Sequence, residues 1–188
     1  FLNKLKDHLL HRLCGIPEET GFAFTNEEHR RLAIKDERIF EHKIMRVNYT
    51  TYDVRRDYDI IRPFRDIMVL APEEDTNVPH PFWYARVLRI WHANIIQLDK
   101  NPCDQVPKRM EFLFVRWLGR DLSWKSGWKS CRLDCVGFVP EDDCDAFGFV
   151  DPNDIVRTCH LIPAFSQGRT RKLMGHSRLA RPDGEEDD

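Results

Sequence analysis

Glu111-Phe112-Leu113-Phe114-Val115-Arg116-Trp117 decides the fold. Apolar residues fill both alternating positions of this run, so a strand made from it has no wet face and needs cover on both sides. Runs of β-branched and aromatic residues surround it, broken by Pro, Gly and Asp. They predict strands at 43–54, 66–71, 82–97, 109–119, 129–139 and 156–165. Residues 71–79 and 100–107 are expected to be polar connections, and Asp151-Pro152-Asn153-Asp154 a helical turn before the last strand. Strands with irregular loops and almost no helix between them point to a small, strongly bent sheet or partly open barrel.

Toward the N-terminus the period changes. Leu2, Leu5, Leu9 and Leu13 lie on one face of a helix that Gly15 and Ile16-Pro17 would stop. Thr25-Asn26-Glu27-Glu28 has capping-box spacing and opens a short helix at about 26–32. After Phe165 the apolar residues thin out. Arg169, Arg171, Lys172, Arg178 and Arg181 precede Asp183 and the acidic run from Glu185 to Asp188, a pattern expected to be disordered.

The 188 residues suit one domain with an appendage, and 41% hydrophobic content with twelve Phe and five Trp is enough for a core. Lys and Arg number 29 against 31 Asp and Glu, so net charge points to no partner; only local distribution can. No run approaches the roughly 18 apolar residues of a spanning helix, and no membrane partner is expected. Cys14, Cys103, Cys131, Cys135, Cys144 and Cys159 are scattered in a chain large enough to fold without staples, which predicts free thiols in a reducing intracellular compartment. The first residue is Phe1, so an internal fragment is expected.

Four constellations bear on chemistry. Cys131 and Cys135, with Cys144 and the pair Cys159-His160, would be the donors of a zinc site, but on a strand an i, i+4 pair lies roughly 13 Å apart. No metal site and no cofactor is expected. Asp53, Asp57, Asp59 and Asp66 near Arg55, Arg56 and His80 offer carboxylates for magnesium and a cryptic metal-dependent nuclease, yet they also fit ordinary charge pairing at a strand end. No nucleophile or phosphate-loop motif appears, so no catalytic residue is assigned. Trp83, Tyr84 and Trp91 would be the rings of a methyl-lysine cage or, more simply, core. The stretch 116–132 interleaves cations and rings, as phosphate-plus-stacking recognition requires. Its candidate nucleic-acid contacts are Arg120, Trp124, Lys125, Trp128, Lys129 and Arg132; the bland alternative is that Trp117 and Trp128 are core anchors and that Arg120, Lys125 and Lys129 keep the loop wet.

Several strings resemble one family. They are Arg46-Val47-Asn48-Tyr49-Thr50-Thr51-Tyr52-Asp53-Val54-Arg55-Arg56-Asp57, His80-Pro81-Phe82-Trp83-Tyr84-Ala85-Arg86-Val87 and Phe114-Val115-Arg116-Trp117-Leu118-Gly119-Arg120-Asp121, followed by Gly127-Trp128-Lys129 and Gly137-Phe138-Val139. Asp145-Ala146-Phe147-Gly148-Phe149-Val150-Asp151-Pro152 and Cys159-His160-Leu161-Ile162-Pro163-Ala164-Phe165 complete the set. Together, over about 4–170, they resemble the accessory region downstream of the transposase core in Plavaka-type proteins of basidiomycete CACTA transposons. The resemblance implies that acidic catalytic residues belong to an upstream RNase-H-like domain, so none carries over here. It departs from the family at Cys131 and Cys135, where basic residues are usual, and in ending at Asp188, as a truncated or decaying copy would.

The sequence from Asp66 through Trp83-Tyr84-Ala85-Arg86, Val115-Arg116-Trp117 and Thr158-Cys159-His160-Leu161 also resembles the strand order of bromo-adjacent-homology domains, which are SH3-like barrels of chromatin proteins. Both resemblances imply the nucleus. The expected organisation is an N-terminal helical and strand arm (1–65), a mainly-β, SH3-like, partly open barrel (66–165) and a disordered basic-then-acidic tail (166–188). Its expected role is non-catalytic DNA or chromatin docking within a transposase-like protein, the alternatives being a histone-peptide reader or the nuclease.

Overall fold

A computed structural model describes residues 1–17, 22–71, 80–99, 105–165, 168, 170, 172–175, 177, 179 and 180. The leucine stripe forms α1 (Leu2–Cys14), which Gly15 ends in the left-handed conformation at φ 66°. The Thr25 and Glu28 side chains each bond the other's backbone amide at the start of α2 (Asn26–Arg31), so the capping box is present. The chain then turns to strand: β1 (Leu32–His42), β2 (Met45–Thr50), β3 (Arg56–Ile61), β4 (Asp66–Leu70), β5 (Phe82–Gln97), β6 (Lys108–Arg120), β7 (Val136–Phe138), β8 (Phe147–Val150) and β9 (Ile155–Cys159). The turn expected before the last strand is a 3-10 turn at Pro152–Asp154. No helix among the described residues is long and apolar enough to cross a membrane.

The protein is mainly β with an N-terminal helix. Seven strands form one antiparallel sheet in the order β7-β6-β5-β4-β9, with β1 paired to β5 and β8 to β6. β2 and β3 form a separate two-stranded ribbon. The sheets do not close on themselves. β1 carries a bulge at which Asp36 and Glu37 both take positive φ, and its register jumps from Ile34↔Ile95 to Ile39↔Ala93.

Phe112 and Leu113 are both fully buried, on opposite faces of β6. Phe112 packs with Leu5, Leu9 and Leu10 of α1, Ile95 and Phe149. Leu113 and Val115 pack with Ile67, Val87, Ile90, Val150 and Ile61, and Met45 and Val47 of the ribbon lean on them. The central strand is covered on both sides, as its composition requires; each such side chain contributes roughly 1.5–3 kcal/mol. α1 packs on the sheet and β1 pairs with β5, so the arm over 1–65 shares the sheet's core.

Several expectations need correction, among them the strand over 156–165, which ends at Cys159, and that over 43–54, which spans Met45–Thr50. The strand expected over 129–139 exists only at Val136–Phe138; Trp128–Ser130 is a 3-10 turn followed by Cys131 at φ 50°. Trp117, expected as a core anchor, is only partly buried at the edge of the core. The segment after 165 is not disordered throughout: Met174 is 2% exposed and, with Ala180, packs on Leu88, Phe64 and Phe147. A few apolar residues in a charged stretch are enough when a buried strand residue, Leu88, is left open for them. The acidic end, 181–188, lies outside the described residues.

Candidate nucleic-acid interface

The loop between β6 and β7 is built by its own hydrogen bonds. Asp121 donates its amide to the Cys135 carbonyl (2.9 Å) and closes the base. The Asp121 carboxylate accepts from the Ser123 hydroxyl (2.6 Å) and amide (2.9 Å), and these bonds hold it below the usual carboxylate range. Gly127 donates to the Arg132 carbonyl (2.8 Å) across a second constriction, at φ 97°, a conformation that suits glycine. Between the two pinches the chain turns at Trp128–Ser130.

Asp134, just beyond the expected stretch, pins this loop to the sheet. It accepts from the Ser126 hydroxyl (2.6 Å), pairs with Arg120 (3.5 Å) and lies 4.0 Å from His80 Nδ1. His80 Nε2 lies 3.2 Å from the Tyr84 hydroxyl. Burial pushes the His80 pKa down and the Arg120 charge adds to that, against the opposing pull of Asp134. Sequence spacing offered no signal for this group: His80 and Tyr84 sit some fifty residues from Asp134 along the chain.

The six expected contact residues therefore divide. Arg120 is held by Asp134 and is not available as a loose cation. Trp124, 37% exposed, donates its indole N–H to the Leu133 carbonyl (3.0 Å), and the Arg132 guanidinium lies 5.2 Å from its ring centre. Trp128 is 99% exposed, which removes the core-anchor alternative for it. Lys125 and Lys129 are exposed beside it, and neither they nor Arg132 is in an ion pair among the described residues. The open ring of the loop is Trp128, not Trp124.

The other constellations do not assemble. Asp53 pairs with Arg55 (2.9 Å), Asp59 with Arg157 (2.8 Å) and Asp66 with Arg86 (2.9 Å), three carboxylates on three different cations, while Asp57 accepts from the Tyr58 amide (2.8 Å). Cys131 follows a turn and is not on a strand; neither it nor Cys135, Cys159 or His160 joins a three-donor group among the described residues. The group that does form, Asp143, Cys144 and Asp145, is an exposed acidic turn. Cys103 lies outside the described residues, and the other five cysteines are free thiols. Trp83 meets Trp117 edge-on (5.8 Å), Tyr84 faces His80, and Trp91 stacks on Phe114 (5.7 Å), so these three rings do not form one cage.

Compared with family models, curated proteins and solved structures, the chain finds no match.

Proposed function

We propose that this chain is a non-catalytic docking module for nucleic acid, acting in the nucleus as an accessory part of a transposon-derived protein. The observation that carries the reading is the fully exposed Trp128 ring, set on a hydrogen-bonded turn between Lys125, Lys129 and Arg132. A rigid ring accepts an unpaired base while unpaired cations neutralise phosphate, and the internal bonds of the loop lower the entropy lost on binding. The resemblance to Plavaka-type accessory regions supplies the nuclear, transposase-like setting, and the bent, open sheet is taken as a relative of SH3-like, bromo-adjacent-homology barrels.

Binding of single-stranded and duplex oligonucleotides at two salt concentrations tests this. Lys125→Glu with Lys129→Glu should weaken binding to every sequence and lower the salt slope of log K by roughly 0.7–0.9 per lost contact. Unchanged affinity and slope would remove the loop. A protein partner is the second reading, favoured by the exposure of Leu122 and Leu133 on the same loop.

A further inference from the structure

The ribbon of β2 and β3 has two chemically different faces. Its cross-strand pairs Arg46↔Ile60, Asn48↔Tyr58 and Thr50↔Arg56 alternate with Met45↔Ile61, Val47↔Asp59 and Tyr49↔Asp57. The second set faces the protein: Ile61 is fully buried, Met45 and Val47 pack on the core, and Arg157 binds Asp59 (2.8 Å) and lies over the Tyr49 ring (3.6 Å). The first set is exposed at every position. Alternation has placed both strand carboxylates on the inner face, so the outer face carries two arginines and no acid.

The ribbon is also stiff. Thr51 and Arg55 exchange backbone and hydroxyl hydrogen bonds across its tip (2.8–3.1 Å), and Val54 takes φ 61° there. The tip acid, Asp53, is paired with Arg55. On the outer face the Arg46 guanidinium rests 4.9 Å from the Tyr58 ring centre. Stacking of that kind engages the face of the guanidinium and leaves its N–H donors at the edge free for an acceptor.

We propose that this outer face docks in the major groove of duplex DNA. A two-stranded ribbon fits the roughly 12 Å groove. Arg46 on β2 and Arg56 on β3 lie on opposite strands, so each guanidinium faces a different phosphate rim, and four residues of register set them about 13 Å apart along the groove. Asn48 stands between them and is the outer-face amide that can reach a base edge, where it matches the donor and acceptor of adenine. The assignment rests on the nucleic-acid reading above, but on different residues.

The test is fluorescence anisotropy of the full chain with 20-base-pair DNA duplexes recovered by selection from a random pool, and with the corresponding RNA duplex. Arg46→Gln with Arg56→Gln should lower the salt slope on DNA by about 1.8, about 0.9 for each phosphate. Arg46→Lys with Arg56→Lys should keep that slope, which separates lost charge from lost fold. Asn48→Ala should keep the slope and erase roughly tenfold or more of the preference for the selected sequence. RNA should bind more weakly, because its deep, narrow major groove does not admit the ribbon. A normal slope in the glutamine variant, with a reduced slope in the loop variant, overturns the ribbon and leaves the loop reading standing. Duplex RNA bound as tightly as DNA overturns the groove assignment, and retained preference in the Asn48 variant overturns base reading by that residue. Failure of the wild-type chain to bind any nucleic acid removes both readings.

Discussion

A Cβ placed on Gly148 would come within 2.5 Å of Trp117 Nε1. Gly148 pairs with Val115 in the β6–β8 register, and the indole of Trp117 turns its Nε1 edge into the space its missing side chain leaves. The obstruction is a bulky ring, not the end of a flexible chain. Gly148→Ala should therefore cost about 1–3 kcal/mol in denaturant unfolding. Replacing Trp117 by Phe in the same chain should recover part of that loss. Trp117→Ala alone should fall at or below the low end of the usual 3–5 kcal/mol, since the ring is only partly buried.

Acid should loosen the ribbon before the sheet. Burial alone would raise the Asp59 pKa, but the hydrogen bonds from Arg157 and the Thr158 amide, with the guanidinium charge, hold it below the ordinary value. A carboxylate with a lowered folded pKa adds stability that is complete above its unfolded pKa, about 3.9, and is lost as pH falls through the folded value. Asp59→Asn should cost about 1–3 kcal/mol at neutral pH and flatten the acid limb of a melting-temperature profile. An unchanged acid limb would show that Asp59 is not what titrates.

Thiol labelling should separate the cysteines by burial and charge. Burial, then the Asp66 carboxylate, pushes the Cys159 pKa up to about 11, so its thiolate is roughly one part in a thousand at pH 8. Cys14 and Cys131 are exposed. In the folded protein they should react with a maleimide or disulfide reagent well before Cys159, and denaturant should abolish the difference. Equal rates in the folded state would contradict the placement of Cys159.

Met174 should matter although the segment around it is rich in Arg and Lys. Met174→Ala should cost about 2–5 kcal/mol, and ending the chain at 167 at least as much, because either change uncovers Leu88. Chemical denaturation of the two variants checks this; a truncated chain as stable as the full one would return the segment to the disordered class.

The two loop tryptophans should behave oppositely. Trp128→Ala should leave stability within about 0.5 kcal/mol, as expected of an exposed side chain, and lower single-strand affinity by roughly 1–3 kcal/mol. Trp124→Ala removes the bond to Leu133 and the stacking under Arg132, so its first effect should be on loop order, read by backbone NMR. Equal affinity losses from both would show that loop integrity, not base stacking, is being measured.

What could be read from the sequence follows from what is local. The two-faced run at 111–117, the leucine stripe of α1 and the capping box at Thr25 and Glu28 depend on period and spacing, and the structure has all three. Which tryptophan stays open was not legible, because it depends on Cys131 taking φ 50°, which is uncommon outside glycine, and on where the Leu133 carbonyl points. Nor was Asp134 as an anchor, since Arg120, Ser126 and His80 meet it through tertiary placement. That Asp57 and Asp59 share one face of the ribbon was present in the alternation of 56–61, but only the pairing register shows that Arg46 of β2 and Arg56 of β3 share the other.

The bulge in β1 has a bearing on solubility. β1 pairs along one side only among the described residues, and an eleven-residue strand with an open edge would be a template for pairing between molecules. Asp36 and Glu37 divide it into ladders of three and four residues, 32–34 and 39–42. Each is shorter than the six- or seven-residue segments that seed cross-β assembly, and charge sits at the break. The sheet can then be crowded to high local concentration without its edges joining.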